Sequence, residues 1–178
     1  LSSIVTFSNC AIRSNAASGH GGGVFVSMLT VVNFVNAPVS TFKDTASLPA
    51  TVIADNFAGR NGGGISCFQC QSFIMKNITF LRNTAAINGG CFAFEEMESQ
   101  KSSILRFVIF DSCVSQQGNG GAIAVRDASK ISIELSKFAN CYAISGIGAG
   151  IFWTHFEIMV KGNHKIGVPI IIIQSSIR

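Results

Sequence analysis

Over short stretches of this chain, apolar residues alternate with polar ones. Ile78 and Phe80 alternate with Asn77 and Thr79, and Ile131, Ile133 and Leu135 alternate with Ser132, Glu134 and Ser136. A period of two with one apolar side predicts strands that bury one face. No helical run interrupts the pattern.

The strands belong to a longer repeat. Phe80 and Asn83 lead to Asn88-Gly89-Gly90-Cys91, and Ile53 and Asn56 lead to Asn61-Gly62-Gly63-Gly64, an offset of 27 at every position. Phe110 and Cys113 lead to Gly120-Gly121-Ala122, and Phe138 and Cys141 lead to Gly148-Ala149-Gly150, at steps of 30 and 28. An N-terminal copy ends at Gly21-Gly22-Gly23. Its start can be read as Phe7 with Cys10 or as Ile12 with Asn15, and Phe7 is preferred because Thr6-Phe7 matches Thr79-Phe80. A fixed period of strands and Gly turns predicts an all-β, single-stranded parallel β-helix of about five coils of roughly 27 to 30 residues. Residues 1–178 form one domain, and the polar, Pro-bearing segment 36–49 is a loop insertion.

Each repeat position then has a physical task. The Phe or Ile stacks on its equivalents in neighbouring coils. The Asn three residues later bonds its amide to the coils above and below, and Cys replaces it as a small buried side chain. Gly22, Gly63, Gly90, Gly121 and Gly150 mark a corner where a Cβ would meet the adjacent coil.

These residues resemble a known repeat. The pair F-x-x-N and G-G-A-I, seen at Phe80 to Asn83 and at Gly120-Gly121-Ala122-Ile123, is similar to that of the chlamydial polymorphic outer membrane proteins and related right-handed β-helix surface proteins. The resemblance implies a right-handed extracellular solenoid used for adhesion, coating or assembly, in line with the handedness of parallel crossovers. The departures are Cys10, Cys113 and Cys141 in the Asn slot.

Composition narrows the classes. With 12% charged and 48% hydrophobic residues, the chain must bury much of itself. A charge of +4 spread without a basic cluster argues against nucleic acid. The apolar run 166–173 is interrupted by Gly167 and Pro169 and is too short for a membrane span. The first residue is Leu, so the chain reads as a segment of a longer polypeptide. Six cysteines without a zinc pattern point to an oxidising, extracellular or cell-surface compartment.

Candidate chemistry is sparse. β-Helix enzymes that cleave polysaccharides use paired acids, yet Asp55, Asp111 and Asp127 fall in different coils. Glu95, Glu96 and Glu98 read as a solvated turn. His20, His155 and His164 share no metal spacing, and Gly21-Gly-Gly23 and Gly62-Gly-Gly64 recur with the structural period rather than as phosphate cradles. Cys67 and Cys70 suit a disulfide or buried thiols, and Cys113 and Cys141 stand one coil apart, within disulfide reach. Asn77-Ile78-Thr79 is the one glycosylation sequon, and strand alternation points Asn77 outward. No cofactor is implied. The expected function is a non-catalytic surface coat, adhesin or filament segment. Its partners are other copies or neighbouring coils at the open ends, surface glycans, or host or matrix proteins. The alternative is a polysaccharide lyase or hydrolase.

Overall fold

The computed structural model describes residues 3–28, 30–35, 51–95, 103–126 and 131–154. The expected loop 36–49, Glu96, Glu98, Asp127, His155, His164 and the run 166–173 lie outside them.

Within these residues the chain is a parallel β-solenoid of about four turns, with five stacked levels. Level one comprises Ile4–Phe7, Ala11–Arg13, Ala16–Ala17 and Val24–Ser27. Level two comprises Val31–Val35, Thr51–Ala54, Phe57–Ala58 and Ile65–Phe68. Level three has Ser72–Leu81, Thr84–Ala85 and Phe92–Glu95; level four has Ser103–Asp111, Val114–Ser115 and Ile123–Arg126. Level five has Ile131–Glu134, Lys137–Ala139, Tyr142–Ala143 and Ile151–Thr154. The strands stack into one long sheet of eight strands and two sheets of five, all parallel. The expectation of about five coils counted the levels; four turns separate them.

The chain turns corners through single residues in the left-handed region. Asn9, Asn77, Phe107 and Leu135 break the long sheet, and Ser14, Asp55, Arg82, Ser112 and Asn140 close it. Met28 and Gln69 lead to the next level, and all these φ values lie between 48° and 58°. At the fourth corner the residue is always glycine, Gly21, Gly62, Gly89, Gly120 and Gly148. The residue after it is constrained for another reason. A Cβ on Gly63, Gly90 or Gly121 would lie under 3.0 Å from a backbone carbonyl of the next level.

This geometry corrects three expectations. Phe7 and Cys10 do not hold the first signature positions. Ile12 pairs with Ile53, and Asn15 bonds Asn56, while Phe7 stacks on Phe34 at 4.6 Å and Cys10 faces Thr51. The physical reason is the corner at Asn9, which splits the long strand of level one and puts Phe7 in the half before it. Gly150 is also displaced: Ala149 occupies the slot of Gly121, and Gly150 that of Ala122. Finally, Leu135 is 69% exposed rather than packed against the core like the half-buried Ile131 and Ile133, because the left-handed residue resets the alternation.

The core is a set of side-chain columns. Phe80, Phe110 and Phe138 stack with centroids 4.9 Å apart and planes within 10°. Phe34, Phe73, Phe92 and Phe94 are fully buried beside them. Among the described residues, no helix is long and apolar enough to cross a membrane.

Because the levels meet at backbone distance, Gly90→Ala should destabilise by about 1 to 3 kcal/mol through overpacking. Ala149→Gly should cost well under that, having no such contact to relieve. Chemical denaturation with backbone hydrogen exchange at levels three and four checks both, and equal effects would remove the distinction.

Candidate functional site

Most polar side chains that could announce a chemistry are bonded to their own equivalents. Asn15 donates both its backbone N–H and its Nδ2 to Asn56 Oδ1 at 3.0 Å, and Asn56 does the same to Asn83 Oδ1 at 3.1 and 2.9 Å. Asn83 Nδ2 finishes the ladder on the Ile53 carbonyl at 2.8 Å. Asn56 and Asn83 are buried, and these bonds satisfy groups that water cannot reach.

A second ladder, unforeseen from the sequence, runs the other way along the glycine corner. Asn88 donates its backbone N–H to Asn61 Oδ1 at 3.0 Å, Asn119 donates to Asn88 Oδ1 at 2.8 Å, and Ile147 donates to Asn119 Oδ1 at 2.9 Å. The signal was present as the Asn before the glycine pairs that begin at Gly62, Gly89 and Gly120.

Where Cys replaces Asn, the ladder gives way to sulfur chemistry. Cys113 is disulfide-bonded to Cys91, with Cα atoms 5.4 Å apart, so the bond joins levels three and four through the core. Cys67 and Cys70 form a second disulfide across the Gln69 corner, with Cα atoms 5.7 Å apart. Cys10 and Cys141 are free. Burial pushes the Cys141 thiol up, and it donates to the Ala139 and Phe110 carbonyls.

The acids are likewise engaged. Asp55 receives two bonds from Arg82, at 2.7 and 3.0 Å, and this holds its carboxyl below the ordinary range. Asp111 accepts from Ser112 and Asn140. Glu95 accepts from Asn61 Nδ2 and pairs with Arg126 at 3.1 Å. Glu95 and Arg126 line a cavity of about 280 Å³ together with Asn88, Ala93, Asn119 and Phe152, and among the described residues Glu95 is its one carboxylate. His20 lies 6.0 Å from Phe25, and among the described residues no three His, Cys, Asp or Glu side chains are placed to hold a metal ion.

Among the described residues, the levels differ at the left-handed corner within the long sheet. Val35 pairs with Lys76 and Thr51 with Ile78, so strands whose partners are separated by Asn77 alone are separated in sequence by residues 36–50. Lys76 pairs with Arg106 and Ile78 with Val108, which puts Asn77 and Phe107 in register; Arg106 pairs with Glu134, which adds Leu135. Asn77 is half-buried at this corner, and its direction is set by positive φ rather than by strand alternation. Asn and Asp adopt this conformation readily, whereas bulky residues do so at a cost. Phe107 and Leu135 nevertheless occupy it, at 41% and 69% exposure, beside Ile109 and the charged Lys76, Arg106, Glu134 and Lys137. Arg106 lies over the Phe107 ring at 5.2 Å. The corner exposes apolar side chains with charged ones around them, and it is the candidate site.

No family model, curated protein or solved structure matches the chain. The comparisons thus give no support to the resemblance to the polymorphic outer membrane protein repeat.

Three outcomes follow from these contacts. Asn83→Ala leaves the buried Asn56 backbone N–H without an acceptor, while Asn56 Nδ2 keeps the Ile12 carbonyl, and should cost about 1 to 3 kcal/mol in denaturant unfolding. In protein made in bacteria, Phe107→Asn should raise stability by roughly 1 kcal/mol, since Asn already serves this corner at Asn9 and Asn77; a loss would show that the Phe is not strained. The Asp55 carboxyl, lowered by Arg82, favours the folded state above its ordinary value of 3.8, and that contribution disappears as pH falls through the lower folded value. NMR titration should place Asp55 below 3.8, and Arg82→Gln should return it.

Proposed function

We propose that this chain is a structural or adhesive β-solenoid of an extracellular or cell-surface protein, without catalysis. The observation that carries the reading is the disulfide between Cys91 and Cys113, which takes the slot of a buried Asn ladder and ties adjacent levels together. A bond that substitutes for the scaffold's own hydrogen bonding suits a compartment where disulfides persist. The repeated Asn and Gly residues support the same reading, because they are used to hold level to level and leave the outer faces to vary. Partners of the expected kinds, surface glycans or matrix proteins, would meet those faces and the variable corner.

Filament growth by coil-on-coil stacking of copies has less support than lateral contact. Ala149 takes the slot where, at Gly121, a Cβ would meet the next level's backbone, so the fifth described level is less suited than level four to receive a level in the same register.

A carbohydrate-active enzyme is the second reading, favoured only by the cavity beside Glu95 and Arg126. It requires release of reducing ends from a polysaccharide that Glu95→Gln abolishes.

The compartment is tested by alkylating cysteines in protein taken from its native source. Cys67, Cys70, Cys91 and Cys113 should be protected until reduction. Half-exposed Cys10 should react in the folded state and buried Cys141 only after unfolding. Six reactive thiols without reductant would overturn the extracellular reading. Electron microscopy should show discrete particles, and fibres would show that the ends stack after all.

A further inference from the structure

The strained corner exposes apolar groups that solvent does not favour. Phe107 and Leu135 each combine left-handed backbone with a large exposed side chain, at a corner where levels one and three use Asn9 and Asn77. Bulky non-glycine residues held in this region are strained and persist where surroundings or function compensate. The cover that compensates has a specific source on the same corner.

Asn77 opens the only glycosylation sequon of the chain, Asn77-Ile78-Thr79. It stands in register with Phe107, one level away. Adjacent levels are about 4.8 Å apart, so a sugar linked to Asn77 Nδ2 reaches the Phe107 side chain without crossing another residue column. A pyranose presents a face of C–H groups, and an aromatic ring presents a negative face that receives them. Arg106 lies over the Phe107 ring at 5.2 Å, and the ring remains 41% exposed.

We propose that Asn77 carries an N-linked glycan and that Phe107, with Leu135 beyond it, is the shelf on which the first sugar rests. This rests on the secretory reading above. In the transfer, Asn77 Nδ2 forms a bond to the anomeric carbon of a lipid-diphosphate oligosaccharide. The bond from that carbon to the diphosphate breaks, the diphosphate leaves with the electron pair, and the amide proton passes to the transferase. Transfer to the chain before it folds places the sugar at the corner as the levels close.

The test compares protein secreted from a eukaryotic host and trimmed to a single N-acetylglucosamine with unmodified protein from a bacterial periplasm. Intact mass should show one sugar, lost in Asn77→Gln. The sugar should raise the melting temperature by roughly 2 to 4 °C, the shift of about 1 kcal/mol in a chain of this size. In Phe107→Asn the same sugar should bring no rise. Secreted protein bearing no sugar at Asn77 would overturn the site, while its cysteine state reports separately on the compartment. A sugar that brings no rise, or an equal rise in Phe107→Asn, would overturn the shelf and leave the modification standing.

Discussion

In a parallel stack each residue sees its own equivalent above and below, and the backbone of one level is satisfied only by the next. That inter-level hydrogen bonding is the constraint on which the rest of the molecule depends. It requires every level to place the same atoms at the same height, so a buried polar side chain finds a ready partner in its own column. Asn15, Asn56 and Asn83 do this through one amide oxygen that accepts two bonds. The same constraint forbids a Cβ at Gly63, Gly90 and Gly121, because the space belongs to the neighbouring carbonyl.

The corners follow from the need to return to the starting position at each level. Single left-handed residues turn the chain without consuming ladder positions, so Lys76 and Ile78 remain paired on either side of Asn77. The cost falls on residue choice. Where the turn abuts backbone, only glycine serves; where it faces outward, Asn, Ser, Asp, Arg, Phe and Leu all occur. Tolerance at the outward corners lets chemistry vary there while the stack stays constant.

Self-similarity made much of this legible in the sequence. Phe80, Phe110 and Phe138, and Asn56 and Asn83, recur at near-constant offsets, and structure places each set in one column. The first copy was harder, because its step to the second is 41 residues rather than 27. With residues 36–50 counted in, Phe7 seemed as good a match as Ile12, although its partner Phe34 precedes the insertion. Leu135 was misjudged because alternation carries no sign of a phase change at a left-handed residue. The disulfide between Cys91 and Cys113 was missed because it joins two different columns, whereas Cys113 and Cys141, in one column, drew attention. Of the candidate site, only the Asn77 sequon could be seen beforehand; that Phe107 lies next to it required the register.

The unequal chain lengths between paired strands bear on how such a chain changes over generations. One level carries residues 36–50 where the next carries Asn77, and the strands on both sides keep the same pairing. Length at this point is therefore uncoupled from register, and insertions or deletions there leave the hydrogen-bonded frame untouched. The equivalent positions at Phe107 and Leu135 inherit the same freedom, so the column is a row of ports into which new segments can be spliced without redesigning the stack.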